Sequence, residues 1–193
     1  MEAIKEKECN NKITTRQQAI IIGSLLGDGH LDRNRYGSIS LEVRQKSEHK
    51  DYIFWLWKEL ENLCNRKPYQ RPDNFQWRLL TKYDKELQKY HKFFYDKNKK
   101  VIRKDITKIL IHPLSLAVWY MDDGTLDYRA HNHYAYRFAT YCFSKKEQKI
   151  LVEALHRNFG LEATIQTTRI RQKQYCRLYI GKRSRNKFEK LIQ

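Results

Sequence analysis

The sequence predicts an α+β fold made of two similar halves, and three observations carry that expectation. Residues 21–29 read Ile-Ile-Gly-Ser-Leu-Leu-Gly-Asp-Gly, and residues 116–124 read Leu-Ala-Val-Trp-Tyr-Met-Asp-Asp-Gly. Each is an apolar run of helical character closed by an acidic residue and a glycine. The two Asp-Gly steps, at Asp28 and Asp123, lie 95 residues apart in a chain of 193, the spacing of a duplicated unit. Secondly, each stretch is followed by the same succession of strand pair, amphipathic helix, strand pair and helix. Thirdly, no segment rich in Gly, Pro or Ser separates the halves, so they are expected to fuse into one compact body.

In chain order, residues 1–12 are polar and expected to be loose. Thr14 or Thr15 can cap the helix that runs through Ile20, Ile21 and Ile22 into the first motif. Beyond Gly29 come a strand at residues 30–34, a turn near Tyr36 and Gly37, and a strand at residues 38–45. There Ile39, Leu41 and Val43 alternate with Ser40, Glu42 and Arg44, as in a half-buried strand with one polar face. Ser47 is placed to cap a helix whose stripe is Tyr52, Ile53, Leu56, Trp57, Leu60 and Leu63, read as core. Residues 68–72 and 75–81 form a second hairpin turning at Asp73 and Asn74. Leu87, Tyr90, His91 and Phe94 mark another amphipathic helix. Lys97-Asn98-Lys99-Lys100 breaks that pattern and opens a connector reaching His112.

The second half repeats the plan. Pro113 suits the first turn of the second motif helix. Residues 125–129 and 134–143 make a hairpin around His131-Asn132-His133, expected as its tip. Ser144 and Glu147 read as a capping box for a helix carrying Ile150, Leu151, Ala154, Leu155 and Phe159, which stops at Gly160. A last hairpin (161–168 and 174–180) and a terminal helix (186–193) follow. Asn62-Leu63 answers Asn158-Phe159, and Arg78-Leu79 answers Arg177-Leu178.

Lys and Arg number 39 against 22 acids, a formal charge of +17 that points to a polyanionic partner. The 13 tyrosines suit a groove that touches sugars and bases as well as phosphates. Cys9, Cys64, Cys142 and Cys176 are scattered with no C-x-x-C pair, which excludes zinc-finger spacing and a disulfide framework. They read as reduced thiols of an intracellular protein. Residues 1–11 are charged and lack an apolar signal region, and no run approaches the roughly 18 apolar residues of a membrane span.

A carboxylate in the last turn of a helix opposes the negative end of the helix dipole. Two of them in equivalent places suggest a shared task, most simply holding divalent metal through oxygen ligands. The paired stretches resemble the motifs of the LAGLIDADG homing endonucleases, in the single-chain, two-motif branch; Trp-Tyr-Met-Asp-Asp-Gly is similar to the form in intron-encoded members. The resemblance implies two saddle-shaped αββαββα halves, residues 1–104 with a connector and residues 105–193, around two central motif helices. One departure stands out. The first motif has the small residues Gly23, Ser24 and Gly27 for close helix contact, but their counterparts are Val118, Trp119 and Asp122.

The resemblance implies a monomeric, intracellular enzyme of bacterial cytoplasm or organelle matrix that cuts double-stranded DNA at a long asymmetric site. Host intron RNA is a second partner under the alternative of a maturase; a non-cleaving DNA-binding regulator is a third reading. Asp28 and Asp123 carry over as metal ligands, with the carbonyls of Gly27 and Asp122. Hard oxygen donors and no nearby cysteine argue for Mg²⁺, with Mn²⁺ as a substitute. Asp122 either tunes the site or faces solvent. Gln45 falls where relatives order water, His49 where some carry a basic group, and Lys100 resembles the connector lysine; a solvated charge run is the other reading of Lys100, an exposed helix start that of His49. Tyr141 or Cys142 stands where a second glutamine would be. A basic concave surface is expected from Arg33, Arg35, Arg44, Arg71, Arg78, Arg137, Arg169, Arg171 and Arg177.

Overall fold

The structure, a computed structural model, describes residues 13–129 and 133–193. Cys9, the polar N-terminal stretch and the tip residues His131 and Asn132 lie outside the described residues. The first half runs α1 (Thr15–Leu26), β1 (His30–Arg33), β2 (Ile39–Gln45), α2 (Lys50–Glu59), β3 (Tyr69–Gln70), β4 (Trp77–Leu80) and α3 (Gln88–Phe94). A small hairpin, β5 (Tyr95–Asp96) and β6 (Lys99–Lys100), and a short helix, α4 (Ile106–Ile109), connect it to the second. There the order is α5 (Pro113–Asp123), β7 (Gly124–Arg129), β8 (His133–Phe138), α6 (Lys145–Phe159), β9 (Ala163–Ile170), β10 (Lys173–Ile180) and α7 (Arg185–Ile192). Each half is thus αββαββα, as the repeat predicts.

Both sheets are antiparallel with the same strand order, β1-β2-β4-β3 in the first and β7-β8-β10-β9 in the second. Register makes the halves comparable residue by residue: Val43 pairs with Leu79 as Phe138 pairs with Leu178. One apolar cluster spans both halves, from Ile20, Leu41 and Ile53 through Trp119 to Phe138, Leu178 and Phe188. The motif helices α1 and α5 run through its middle. Gly23 makes their approach possible, because a Cβ there would lie 2.6 Å from the Ser115 carbonyl oxygen and 2.7 Å from Val118 Cβ. The bulk comes from α5: Trp119 is fully buried and packs on Phe138 at 4.3 Å between ring centroids. The Ser115 hydroxyl donates to the Ala19 carbonyl at 2.9 Å, fixing how the two helices slide against each other.

Local signals act as expected at most helix ends. Thr14 and Gln17 form a capping box on α1, Ser144 and Glu147 form one on α6, and Gly160 ends α6 in the left-handed conformation (φ 59°). Pro113 opens α5, where the His112 ring nitrogen Nδ1 accepts from the Leu114 N–H. The Asn62–Asn158 correspondence also has a structural meaning. Asn62 accepts from the Gln17 amide on α1, while Asn158 donates to the Thr107 and Leu110 carbonyls just before α5.

Four local expectations change. Ser47 caps nothing: its hydroxyl donates to the Phe75 carbonyl at 2.8 Å, and residues 47–49 form a single 3₁₀ turn ahead of α2. The segment at Lys97–Lys100 is a hairpin rather than a plain connector, with Lys97 at φ 53° in its turn. The polar face of β2 is largely covered, Ser40 and Glu42 being buried and only Arg44 exposed. Finally, α1 ends at Leu26, so Asp28 lies just past the helix, whereas Asp123 is the last residue of α5. The Gly29 N–H donating to the Ser24 carbonyl at 2.7 Å shapes that turn.

Candidate metal centre and nucleic-acid face

The tips of α1 and α5 bring three carboxylates together. The closest approach is at Gly27, where a Cβ would overlap Asp122 Cβ and sit 2.8 Å from Asp122 Oδ2. The Asp28 N–H donates to Asp122 Oδ2 at 3.3 Å. The Gln45 amide nitrogen bridges two acids, donating to Asp28 Oδ2 at 3.0 Å and to Asp122 Oδ1 at 3.3 Å. The Tyr52 hydroxyl donates to Asp122 Oδ1 at 2.9 Å. Lys100, delivered by the β5–β6 hairpin, donates from Nζ to the Gly27 carbonyl at 2.7 Å.

Crowding these acids away from water raises all of them. Burial is the main cause for Asp123, and the charge of Asp28 adds to it, pushing Asp123 up to about 7 against the pull of Lys100. Asp122 rises well above the carboxylate range, through burial and then the Asp28 charge. Asp28 rises less, because the Gln45 hydrogen bond and the positive charges of Lys100 and His49 offset its burial. Lys100 is lowered by burial, opposed by attraction to Asp123, Asp122 and Asp28.

Gln45, Lys100 and His49 therefore all fall near the acids, Gln45 by direct hydrogen bonds, Lys100 through the adjoining Gly27 carbonyl and its charge, and His49 through its electrostatic effect on Asp28. The Lys97–Lys100 cluster is not a solvated run throughout, since Lys100 is half-buried. Asp122 does not face solvent. One expectation needs correction. A cysteine does lie near the centre: Cys142 interacts electrostatically with Lys100 and Asp123. The Gly27 carbonyl accepts from Lys100 and keeps a second lone pair. The counterpart of Gln45 by sheet register is Thr140, not Tyr141 or Cys142. Tyr52 escaped sequence reading, because a tyrosine on a helical apolar stripe is indistinguishable from core.

The donors suit a hard divalent cation, and the observation that tests this is the crowding of three carboxylates, with the Asp28 charge raising both Asp122 and Asp123, that the Gln45 amide, the Tyr52 hydroxyl and Lys100 only partly offset. Among the described residues no three His, Cys, Asp or Glu side chains form a metal-binding group. The chain's own offer is thus the Asp28 and Asp123 carboxylates plus backbone carbonyls, a sparse oxygen set that leaves places for water and phosphate, as Mg²⁺ prefers.

The predicted arginines do not form one row. On the outer face of the first sheet, Arg44 and Arg78 both pair with the buried Glu42, at 2.5 and 2.6 Å. That face opens beside Asp28 as a cavity of about 480 Å³ lined by Asp28, His30, Glu42, Arg44 and Gln76. In the second sheet Arg137 pairs with Asp127 and Arg177 shares its face, half-buried. Arg71 holds Asp73 at 2.5 Å, Arg35 lies over the Tyr36 ring, and Arg171 occupies the β9–β10 turn with φ 46°. Arg33 and Arg169 are on the opposite, helix-side faces, because they alternate in phase with Leu31 and with Ile165. Arg33 lines a cavity with His91 and Lys92 of α3.

Two αββαββα units meeting at paired helix tips that carry acids define the two-motif LAGLIDADG class. The profile of the LAGLIDADG DNA endonuclease family matches residues 18–188, and the chain belongs to that family. It is 28% identical over 208 residues to cytochrome b mRNA maturase bI2 of Saccharomyces cerevisiae, covering 97% of this chain and 47% of the relative. It is 30% identical over 158 residues to probable intron-encoded endonuclease 1 of Wickerhamomyces canadensis, covering 77% of this chain and 68% of the relative. The structure of the homing endonuclease I-WcaI bound to its DNA recognition sequence superposes with a TM-score of 0.81 at 25% identity, over 93% of this chain and 81% of that one. The chain spans about half the length of the yeast maturase. Among the described residues no helix is long and apolar enough to cross a membrane.

Proposed function

We propose that the chain is a site-specific endonuclease that hydrolyses phosphodiesters of double-stranded DNA with divalent metal. The observation that carries this reading is the pair Asp28 and Asp123 at adjacent helix tips, both raised first by partial loss of solvent, with the Asp28 charge raising Asp123 further. Binding alone has no need of two crowded acids. In hydrolysis a water oxygen adds to phosphorus, one P–O ester bond breaks, and the leaving oxygen takes up a proton. Bound divalent metal supplies stabilisation of charge on the attacking and leaving oxygens. Asp28 and Asp123 would hold it, with the carbonyls of Gly27 and Asp122. Gln45 orients Asp28 and can order water beside it; Lys100 brings a cation into hydrogen-bonding contact with the tips and compensates phosphate charge; His49 acts electrostatically on the Asp28 side. Mg²⁺ fits best, with Mn²⁺ as a substitute.

Residues 1–104 and 105–193 act as the two halves of a monomer, each placing its sheet against half of an asymmetric target. The I-WcaI structure is a DNA complex, which supports this arrangement. Arg44, Arg78, Arg137 and Arg177 are the sheet arginines on the outer faces; Arg35, Arg71 and Arg171 extend the basic surface from the turns. The yeast relative is a maturase by name, which favours host intron RNA as a second ligand. The test is to incubate a randomised duplex library with the protein and Mg²⁺ and sequence the cut ends. One long shared motif among the products is the expected result. Intact DNA together with tight binding to structured intron RNA would replace the endonuclease reading by the maturase.

A further inference from the structure

The centre is less symmetric than the fold around it. Asp122 gathers three donors into one carboxylate: the Tyr52 hydroxyl at 2.9 Å, the Gln45 amide at 3.3 Å and the Asp28 N–H at 3.3 Å. The same Gln45 amide holds the Asp28 side chain at 3.0 Å. Tyr52 is itself anchored, its hydroxyl lying 3.4 Å from the Val118 carbonyl one turn back on α5. Asp28 is therefore fixed from its backbone and from its side chain by one connected network.

Nothing comparable surrounds Asp123 among the described residues. The counterpart of Asp122 is Gly27, which has no side chain and no room for one. The counterpart of Gln45 is Thr140, whose hydroxyl has no hydrogen-bond partner. The third residue of α2 is Tyr52, but the third residue of α6 is Glu147, turned to the Ser144 cap and the Ile102 N–H. What reaches Asp123 is the charge of Lys100, the side chain of Trp119 one turn back on α5 and the neighbouring thiol of Cys142, with no network joining them to its backbone.

We propose that Asp122 is a positioning residue that orders the Asp28 side of the centre, and that the DNA strand facing Asp28 is cut before the strand facing Asp123. The strand order rests on the endonuclease reading; the positioning does not. Groups that orient the ligands of a reacting centre commonly change rates tenfold to a hundredfold when removed, so a connected shell on one side and a sparser one on the other separates the two cuts in time.

Asp122→Asn tests this. The amide keeps the shape and can still accept from Tyr52 through its oxygen, but its NH₂ cannot accept the Asp28 N–H. In the metal-free protein, the NMR cross-peaks of the Asp28 backbone amide and the Gln45 side-chain amide are expected to shift, while the Ser115 amide on the α1–α5 contact stays in place. On a duplex target with the strands labelled separately, the parent is expected to nick one strand first. Asp122→Asn should slow that strand tenfold or more at saturating enzyme, change the other less than threefold, and leave DNA affinity unchanged. Tyr52→Phe removes one donor and keeps the carboxylate, so it should move the same signals less; it decides the matter if Asp122→Asn does not fold. Unmoved Asp28 and Gln45 signals overturn the positioning role. Equal slowing of both strands, or simultaneous cutting by the parent, overturns the strand order. A parent that cuts no DNA sinks the endonuclease reading, and the amide signals still decide the role of Asp122.

Discussion

Gly23→Ala probes the contact on which the whole arrangement depends. In an isolated helix the change is favourable, by about 1 kcal/mol, because alanine loses less backbone freedom than glycine on folding. Here the new methyl would lie 2.6 Å from the Ser115 carbonyl oxygen and 2.7 Å from Val118 Cβ. The carbonyl belongs to helix backbone and cannot rotate away, and the Ser115–Ala19 hydrogen bond resists sliding of the helices. Overpacking of this kind costs about 1–3 kcal/mol. Any relief must come from separating α1 and α5, which also loosens the Gly27–Asp122 contact at their tips. A net loss of up to about 2 kcal/mol is expected after the helix gain. Urea denaturation of the metal-free protein, followed by circular dichroism, measures it, and adding Val118→Ala should recover only part of the loss because the carbonyl contact persists. A Gly23→Ala variant more stable than the parent by the full helix gain of about 1 kcal/mol would show that the helices do not approach this closely.

Asp28→Asn and Asp123→Asn are each expected to abolish cleavage while duplex binding survives, since charge stabilisation is lost but the basic surface is kept; cutting within tenfold of the parent would remove that aspartate from the centre. Because Asp123 is raised from 3.8 to about 7, the metal-free fold loses stability as pH climbs between those values, by ~4 kcal/mol at most at 1.36 kcal/mol per pH unit. Asp123→Asn should therefore melt higher than the parent above pH 7 and lose that advantage near pH 4, and divalent metal should raise the parent's melting temperature more at pH 8 than at pH 6; parallel melting curves across pH would refute the burial of that charge. Duplex affinity should fall with salt at a log–log slope of about −0.9 per phosphate contact, read by fluorescence anisotropy, and a nearly flat dependence would refute a phosphate-tracking role for the +17 surface.

Features settled by neighbouring residues were legible in the sequence. Caps are of this kind: Thr14 with Gln17, Ser144 with Glu147, and Gly160 each act within one turn. Strand alternation correctly put Leu41 and Val43 on the core side. The motif aspartates were visible because the same pattern occurs twice. Features settled by distant partners were not legible. Glu42 takes up Arg78 from another strand, so an arginine counted as a DNA contact is half spent inside the sheet. Ser47 prefers the Phe75 carbonyl to a helix cap, a choice made by the loop that folds over it. The role of Tyr52 depends on where α5 passes, and the hairpin carrying Lys100 depends on only two residue pairs, Tyr95–Lys100 and Asp96–Lys99. Too short to show alternation, it still sets the position of the lysine.

The partly buried ion pairs show how a duplicated chain comes to have two different faces. By sheet register Glu42 corresponds to Arg137, and Asp32 to Asp127. In the first half the acid at this place in the sheet, Glu42, is satisfied by Arg44 and Arg78. In the second half a base stands at the same place, and Asp127 satisfies it from the neighbouring strand. Asp32, freed from that task, accepts the Tyr83 hydroxyl at 2.6 Å instead. A buried charge left unpaired costs several kcal/mol, so neither half can change sign at this position without changing its partners as well. Once that exchange has occurred, the surrounding side chains differ: Arg44 and Tyr69 flank the pair on one face, and Thr125 and Tyr179 on the other. Under the endonuclease reading, two sheets with one backbone plan and different outer residues contact different base sequences. The same divergence that separates Asp28 from Asp123 at the centre therefore separates the two faces, which under that reading suits a single chain to a target with no symmetry of its own.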